Sequence, residues 1–366
     1  MTTNFEDILF LCLILMFGIQ LFYQLYFFSR LTFHKNTPPK YIIPLSIIIA
    51  SRNECENLKK NLPLFLNQKY PEFEVIVIND RSWDQSSSLL EQLKKEHLNL
   101  KVVEIPDNGT DHFAKKLALT LGIKASKYNH FIFSDADCYP KSNLWLKEIS
   151  GGFQQKKEII IGGSTYAKRK GILNKLIRFD TAQIAMMYLG MAKAKIPYMG
   201  VGRNLGYNNT IYEKLRGFKS HYHIPSGDDD LFVNEGANKQ NTSVILSKKS
   251  ITVSTPKTTI KSWFNQKRRH HMTNGHYKLK HKLLLVIYPL SLLIFYVLSL
   301  YLAYLEFNLN FIIGLIISRN LLLMLVFIKP FKILLCIDLL LVSPIYEIIL
   351  LFCYPMFQLT RKKAKK

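Results

Sequence analysis

The sequence predicts an α/β domain with a doubly wound, mainly parallel sheet and helices on both faces, flanked by membrane helices. Strand patterns alternate with helical patterns of about ten to fifteen residues between residues 43 and 137, which is typical of βαβ units. The strand patterns are apolar throughout, and this indicates strands that are covered on both faces. Three further apolar runs, residues 8–28, 283–305 and 311–328, are long enough to cross a bilayer.

The first apolar run, residues 8–28, carries no charged residue, and a helix of this length spans a bilayer core of roughly 30 Å. Glu6 and Asp7 precede it in place of a basic region, and no small-x-small cleavage site follows. We therefore expect a retained anchor rather than a signal peptide, with a buried core helix as the alternative. By the positive-inside rule, four residues place its carboxyl end in the cytoplasm: Arg30, His34, Lys35 and Lys40.

Residues 283–305 and 311–328 are predicted to form a hairpin of two spans with both ends in the cytoplasm. A short polar gap separates them, and Lys329 and Lys332 fit the cytoplasmic return. Residues 333–357 are interrupted by polar residues and a proline, and one more span would put the basic tail TRKKAKK outside. We therefore expect an interfacial or re-entrant segment there.

The distribution of charge separates the membrane parts from the rest. The 366 residues are 48% hydrophobic with a formal charge of +23. We expect an anchor with a basic linker at 1–40, a cytoplasmic domain at 41–282, and a membrane region with a basic tail at 283–366. The excess charge lies beside the membrane runs, where topology explains it and membrane lipids are the partner it indicates. A basic nucleic-acid-binding protein is the rival, but the aromatic interleaving of single-strand binders is not evident, so we expect no nucleic acid partner.

The elements of the cytoplasmic domain follow one another in order. A β-rich strand at 43–51 precedes a helix at 54–68, in which Pro63 is expected to produce a kink. A strand at 73–80, the helix SSLLEQLKKEH and a strand at 100–105 come next. The helix KKLALTLGIKAS then leads to the fourth strand, HFIFSDAD. The five cysteines show no metal or redox spacing, which is typical of small apolar residues in a reducing compartment.

Polar residues follow three of these strands, at the edge of the sheet where ligands bind in doubly wound folds. They are Ser51-Arg52-Asn53-Glu54 after the first strand, Asn79-Asp80 after the second, and Asp135-Ala136-Asp137 after the fourth. No GxGxxG or GxxxxGK[ST] loop is present to hold phosphate, so a bound phosphate would need a cation. Asp135 and Asp137, at positions i and i+2, are spaced to approach one divalent ion. Strand ends that simply meet water are the alternative.

These segments resemble a family 2 glycosyltransferase, an enzyme of the GT-A fold that uses nucleotide-diphosphate sugars. The resemblance extends from residue 44 to about residue 275. SIIIASRNECENL resembles the opening strand and loop of the nucleotide pocket, and VIVINDRSWDQS resembles VDDGSxD. AKKLALTLG resembles GKxxALNxG, and SDADCYP matches the metal-binding DxD signature. Four residues depart from these patterns: Asn79, Arg81, Ala114 and Thr120.

The resemblance implies a donor site in this first half. Asp80 would contact the nucleobase, and Lys115 would lie near the donor sugar or diphosphate, where a compact ammonium suits a phosphate. Asp135 and Asp137 would serve a Mg²⁺ or Mn²⁺ ion and the ribose, with Asp137 as the more direct ligand. The donor-binding set is Ser51, Arg52, Glu54, Asp80, Lys115 and Asp135.

The second half would carry the acceptor site and the catalytic base. GVGRNLGY resembles the segment that lines the acceptor pocket, with Arg203 and Asn204 as its polar groups. SGDDDLFVNE resembles the ED motif, with Asp228 in the Glu position and Asp229 in that of the base. Crowded carboxylates raise one another's proton affinity, which suits a base near neutral pH. Charge placement at a helix start is the alternative for these acids.

A basic segment closes the domain. FNQKRRHHM resembles QxxRW, with Gln266 and Arg269 in the matching positions and His270 where Trp is usual. Gln266 and Arg269 would join the catalytic residues, and Arg269 would help to stabilise the leaving diphosphate. We expect Arg269 to face inward and the neighbouring lysines to face outward toward anionic lipid.

We therefore predict an inverting, metal-dependent glycosyltransferase at the cell membrane, with its catalytic domain in the cytoplasm. It would move a sugar from a nucleotide-diphosphate sugar, with a UDP-sugar expected, to a hydroxyl of a lipid-linked or membrane-proximal glycan. The alternatives are a processive polysaccharide synthase of the same family and a catalytically degenerate membrane-bound subunit. A nucleotidyltransferase is a further rival, but it would need a glycine-rich triphosphate loop. Loops at 106–114 and 162–200 are expected to set specificity.

Overall fold

Ten strands form two sheets in the residues that the structure describes, 5–36, 39–107 and 114–359 of a computed structural model. They are β1 (Leu45–Ser51), β2 (Phe73–Asp80), β3 (Leu100–Ile105), β4 (His130–Asp135), β5 (Cys138–Pro140), β6 (Ile159–Gly162), β7 (Ser164–Tyr166), β8 (Leu205–Asn208), β9 (Thr242–Ile245) and β10 (Thr252–Ser254). The larger sheet has the order β3-β2-β1-β4-β8-β6-β9, and the smaller one has the order β5-β10-β7. The four strands predicted from the sequence are therefore the first four of the larger sheet.

The helices flank both sheets and extend to the two ends of the described chain. They are α1 (Phe5–Phe22), α2 (Ser29–Thr32), α3 (Cys55–Leu66), α4 (Ser86–Glu96), α5 (Ala114–Ala125), α6 (Trp145–Ser150), α7 (Ile172–Lys193), α8 (Asn209–Lys214), α9 (Asp230–Gly236), α10 (Ile260–His270), α11 (Leu279–Tyr304), α12 (Leu309–Ile333) and α13 (Ser343–Leu359). A π-helical segment, Tyr23–Phe28, joins α1 to α2.

The register of the larger sheet brings the predicted polar strand ends together. β1 lies between β2 and β4 and is parallel to both, with Ser51 opposite Asn79 and Ala50 opposite Asp135. β8 is antiparallel to β4 and to β6, so the sheet is parallel on one side and mixed on the other. This is the mainly parallel, GT-A-like sheet that the sequence predicted.

The strands are apolar throughout because each face of the sheet has its own core. Ile48 and Ile76 belong to the core that contains residues of α5, α7 and the membrane helices, whereas Ile47 and Val75 belong to the core under α3, α4 and α6. On the first face α5 comes so close that a Cβ at Gly122 would lie 2.7 Å from a side-chain carbon of Ile48. A glycine is needed at this point of contact.

Two details differ from the sequence-based expectations. The fourth strand ends at Asp135, and Asp137 lies beyond it in the turn before β5, so the pair is not the strand alternation that was expected. Most of 162–200, expected as a loop, is α7, a helix of 22 residues. Its pattern was missed because α7 is buried on most of its surface, so its apolar residues do not follow one stripe. The other expected loop, 106–114, lies largely outside the described residues.

Within the described part of the chain, three helical stretches are long and apolar enough to cross a membrane: Phe5–Thr32, Leu279–Tyr304 and Leu309–Ile333. They correspond to the three predicted apolar runs. α1 packs along α11, and α2 packs against α12 and α7, so this bundle contacts the sheet domain directly. The apolar stretch Ser343–Phe357 in α13 is shorter and packs on α7 and α10. Its interfacial or re-entrant placement stays a prediction.

A buried ion pair lies inside this bundle. Arg319 of α12 donates to the carboxylate of Glu347 of α13 at 2.6 Å, and both side chains are fully buried. Gln183 of α7 and Tyr288 of α11 also donate to Glu347, at 3.1 and 2.5 Å. Gln20 of α1 accepts from Arg319 at 2.8 Å. One polar cluster thus joins five helices, and it explains why a charge is tolerated within each of two apolar segments.

Candidate active site

A cavity of about 570 Å³ opens at the carboxyl ends of β1, β2 and β4. One wall comes from those strand ends, another from the segment before α9, and a third from α7 and α10. The predicted site residues that line it are Ser51, Arg52, Glu54, Asp80, Lys115, Asp135, Asp137, Arg203, Asp228, Asp229, Gln266 and Arg269. The fold therefore brings together every predicted site residue except Asn204.

The carboxylates of Asp135 and Asp137 form an acidic pair with the thiol of Cys138. One ligand atom from each of the three lies within 4.8 Å of the others, which is a separation that fits one cation. Burial raises the pKa of the Cys138 thiol well above its ordinary range, so the thiol stays protonated and donates to Asp137 Oδ1 at 3.1 Å. Burial and the charge of Asp135 also raise the pKa of Asp137. A pair under this mutual repulsion gains stability when a cation binds.

Lys115 connects the two acidic sides of the cavity. Its Nζ lies 3.1 Å from Asp135 Oδ1 and 2.9 Å from Asp228 Oδ2. Burial lowers the pKa of Lys115, but the carboxylates of Asp135 and Asp228 outweigh it and hold the pKa well above its ordinary value. For Asp135, burial raises the pKa, and Lys115 together with Arg203 and Arg269 reverses the shift. The ammonium stays charged beside both acids.

The predicted nucleoside pocket lies at the ends of β1 and β2. Asp80 accepts from Arg81 Nε at 2.7 Å, and Arg81 adopts a left-handed φ of 52°. This conformation explains the glycine of the family pattern, since glycine adopts it without steric cost. Arg52 extends over Trp83, with its guanidinium carbon 5.9 Å from the ring centroid. The hydroxyl of Ser51 is buried and has no hydrogen-bond partner in the described chain, so it is available to a ligand.

The three consecutive aspartates before and at the start of α9 have three different environments. Asp228 pairs with Lys115, as described above. Asp230 accepts from the hydroxyls of Thr273 and Tyr277 and is held by the protein. Among the residues that the structure describes, Asp229 accepts only from backbone amides, Gly202 N and Asp230 N, both at 2.7 Å. Of the three, Asp229 is the carboxylate to which no described side chain donates.

The protonation of Asp229 follows from this position. Burial raises its pKa to about 7, and the negative charges of Asp228 and Asp230 add to the effect, against Lys115. A carboxylate with this pKa takes up and releases a proton near neutral pH. The raised pKa of Asp229 agrees with the prediction, made from the sequence, that neighbouring carboxylates increase one another's proton affinity.

Arg203 and Asn204, both expected at the acceptor, lie in different surroundings. Asn204 is buried, donates to the carbonyls of Gly163 and Ser250, and accepts from the indole of Trp145. The side-chain amide of Asn204 therefore makes its hydrogen bonds within the protein, and Asn204 does not line the cavity. Arg203 does line the cavity, and its Nε donates to Ser164 Oγ at 2.7 Å.

The helix α10 carries the QxxR residues into the cavity. Gln266 donates to the hydroxyl of Tyr166 at 3.1 Å, and Arg269 and His270 line the wall nearby. The expectation that the lysines face outward is wrong for Lys267, which is buried and pairs with Asp180 of α7 at 2.7 Å. Lys267 shares its face of α10 with Trp263 and Gln266, and the countercharge on α7 makes its burial tolerable.

Several cavity residues were missed from the sequence. Tyr166 and Ser164 lie on the three-residue strand β7, and Asp180 and Tyr188 lie on α7. No motif marks them, because their relation to the site depends on contacts between distant segments. A retrospective signal exists only for Asp180, which is the single acidic residue between Glu158 and Glu213.

The fold and the site together are typical of GT-A-like proteins. The sheet carries an acidic pair at its rim, and a separate acid lies across the cavity. Comparisons with known proteins give the family. Residues 46–218 match the model described as "Glycosyl transferase family 2". Over these residues the domain is similar to family 2 of the glycosyltransferases, in agreement with the resemblance that the sequence motifs indicated.

Individual relatives agree with this family resemblance, and a solved structure agrees with the fold. Poly-beta-1,6-N-acetyl-D-glucosamine synthase of Staphylococcus epidermidis is 34% identical over 172 residues, 46% of this chain and 39% of the relative. Poly(ribitol-phosphate) beta-glucosyltransferase of Bacillus spizizenii is 29% identical over 190 residues, 51% of this chain and 28% of the relative. The chain thus matches well under half the length of these relatives. The mannosyltransferase PcManGT from Pyrobaculum calidifontis, solved with GDP-Man and Mn²⁺, has a TM-score of 0.57 at 16% identity, over 94% of this chain and 98% of its own.

Proposed function

We propose that the protein is an inverting, metal-dependent glycosyltransferase that uses a nucleotide-diphosphate sugar and a membrane-associated hydroxyl acceptor. The observation that carries the proposal is the separation of two acidic sites in one cavity. Asp135 and Asp137 form a pair that suits a cation, and Asp229 stands apart with a pKa of about 7. Lys115 contacts Asp135 on one side and Asp228, the neighbour of Asp229, on the other.

Asp229 is the proposed general base. In its ionised form it takes the proton of the acceptor hydroxyl as the oxygen attacks the anomeric carbon and the bond to the diphosphate breaks. The amides of Gly202 and Asp230 hold its two oxygens in place. Attack from the side opposite the leaving group inverts the anomeric configuration.

The donor side stabilises the leaving nucleoside diphosphate. Asp135 and Asp137 would hold Mg²⁺ or Mn²⁺, and such a cation when bound neutralises charge on the diphosphate oxygens. Lys115 and Arg269 supply positive charge from the protein at the same end of the cavity. Asp80, Ser51, Arg52 and Glu54 are proposed to bind the nucleoside, and the unpartnered hydroxyl of Ser51 supports a ligand there. The GT-A neighbour solved with GDP-Man and Mn²⁺ supports the same ligand classes.

The acceptor is proposed to be lipid-linked or membrane-proximal. Three helical stretches suited to a membrane pack against the domain, and the cavity reaches α7 and α10, which contact α13. We therefore propose a multi-pass membrane protein. Residues 1–40 would form the anchor and linker, residues 41–282 the cytoplasmic catalytic domain, and residues 283–366 the second membrane region and tail. A processive synthase is the second candidate, because one relative is a poly-N-acetylglucosamine synthase.

The direct test is incubation of membranes containing the protein with a panel of nucleotide sugars, with Mg²⁺ or Mn²⁺, scoring hydrolysis and transfer separately. Asp229→Asn removes the base and keeps the size of the side chain. We expect it to lower transfer by about 10²–10⁴-fold while nucleotide binding persists, since general-base catalysis contributes a factor of this size. Product length on a size gel distinguishes single transfer from a processive synthase.

The matched control in this experiment is Asp137→Ala. It should abolish the dependence of nucleotide binding on Mn²⁺, which Asp229→Asn should leave intact. Transfer that survives Asp229→Asn, or a loss of nucleotide binding in that variant, would remove Asp229 from the role of base. A wild-type protein that turns over no nucleotide sugar would favour the catalytically degenerate subunit.

A further inference from the structure

Arg203 is held in the cavity by neutral partners. Its Nε donates to Ser164 Oγ at 2.7 Å, and its Nη1 lies 3.4 Å from Ser254 Oγ. The guanidinium carbon lies 4.7 Å from the centroid of the Tyr166 ring. None of these three partners is negatively charged, so they orient the guanidinium without neutralising it.

The guanidinium is connected to the acidic pair and not to the proposed base. Ser254 Oγ, one partner of Arg203, lies 2.9 Å from Cys138 Sγ, and that thiol donates to Asp137. The backbone of the same turn serves the other side of the cavity, where Gly202 N donates to Asp229. Arg203 therefore belongs to the donor side, although the sequence placed it at the acceptor.

Tyr166 connects Arg203 to α10. Its ring lies against the guanidinium, and its hydroxyl accepts from Gln266 of the QxxR segment at 3.1 Å. Tyr166 is itself only 6% exposed, so its ring has a fixed place in the wall. One side chain of the small sheet thus fixes both the planar cation and the helix that presents Arg269.

We propose that Arg203 binds the diphosphate of the donor nucleotide, and that Tyr166 is a positioning residue whose ring sets the plane of the Arg203 guanidinium. An arginine in a fixed plane presents paired N–H donors that match phosphate oxygens, and stacking on an aromatic ring preserves that plane. With Lys115 and Arg269, Arg203 surrounds the leaving group with three protein cations. The inference rests on the proposed function, because it names a further residue of that donor site.

The test is a calorimetric titration of the full-length protein in detergent with UDP and GDP, each with Mn²⁺, and with UMP and GMP. Arg203→Gln should raise the dissociation constant of the preferred nucleoside diphosphate at least tenfold and that of the monophosphate much less. Arg203→Lys should fall between Arg203→Gln and the wild type. Arg169→Gln, an exposed arginine outside the cavity, is the control and should bind as the wild type does.

Two variants of Tyr166 test whether its ring orients the Arg203 guanidinium or only stabilises the fold. Tyr166→Phe keeps the ring and should leave the dissociation constant of the diphosphate within about twofold. Tyr166→Leu removes the ring and should raise it several-fold. If Arg203→Gln does not fold, Arg203→Lys and the two Tyr166 variants decide, because they keep the charge or most of the side-chain volume.

Three results would overturn the inference. Unchanged diphosphate affinity with a raised KM for the acceptor would return Arg203 to the acceptor site. Equal losses for diphosphate and monophosphate, with a lower melting temperature, would make Arg203 part of the framework. Equal effects of Tyr166→Phe and Tyr166→Leu would remove the positioning role. These titrations need no transfer, so they stand if Asp229→Asn shows that the proposed base is wrong, whereas a wild type that binds neither nucleotide contradicts both proposals.

Discussion

The cavity and the membrane-helix bundle both place basic residues beside carboxylates, but the two regions complete those pairs differently. In the bundle, Glu347 accepts from Arg319, Gln183 and Tyr288, and the ion pair is fully buried. In the cavity, the side chains of Lys115 and Asp135 are 41% and 37% exposed. Closed pairs of this kind hold helices together, whereas open ones keep charge available for a ligand. The same residue types therefore have different expected functions in the two regions.

The largest expected effect on stability is in the bundle. Arg319→Met leaves Glu347 buried without its countercharge, which costs about 3–5 kcal/mol of the free energy of unfolding. Arg319→Met combined with Glu347→Leu removes both charges and should recover most of that loss. Thermal unfolding in detergent of the two single variants and the double variant measures the coupling. A loss below about 1 kcal/mol in Arg319→Met would mean that the pair does not hold the bundle.

The matching experiment in the cavity should affect activity and leave stability nearly unchanged. Arg269→Gln removes a cation that we propose acts on the leaving diphosphate, and loss of one such group lowers kcat about 10²–10³-fold. Arg268→Gln, at the preceding residue of α10 and outside the cavity, is the matched control and should keep wild-type kcat. Initial rates with saturating donor measure both variants. Equal activity of the two variants would show that Arg269 has no special place in the reaction.

The sequence predicted the side of the cavity that is built from local segments. The ends of β1, β2 and β4 carry their polar residues directly after apolar runs, so parallel pairing alone brings Asp80 and Asp135 to one rim. The opposite wall depends on pairs between distant segments, such as Lys267 with Asp180 and Arg203 with Ser164. Such pairs leave no periodic pattern in a single sequence, which is why Lys267 was expected to face outward.

The same limit explains the membrane region. Hydropathy located the three long apolar helices, because length and composition are properties of each segment alone. Hydropathy did not explain why Arg319 lies inside one of these helices, because the partner of Arg319, Glu347, lies 28 residues later on another helix. Opposite charges in two neighbouring apolar segments were the available signal for this pair.

The smallest expected effect is on stability, and it comes from Asp229. Its pKa is raised from an ordinary value of 3.8 to about 7, so the folded protein binds a proton that the unfolded chain has released between these pH values. Stability linked to this group is therefore present below about pH 4 and is lost as the pH rises through about 7. Asp229→Asn carries no ionisable group there and avoids the loss.

Melting temperatures of wild type and Asp229→Asn across pH 5–8 measure this linkage. The melting temperature of the variant should increase relative to that of the wild type as the pH rises, and the difference should reach a few degrees at pH 8. A free energy of about 1 kcal/mol corresponds to a few degrees in a chain of this size. Transfer by the wild type should rise over the same interval, since the base acts in its ionised form. A melting difference that does not change with pH would contradict the raised pKa. Stability that falls while transfer rises with pH is expected in the cavity, where the ionised carboxylate of Asp229 acts on a substrate and destabilises the folded protein.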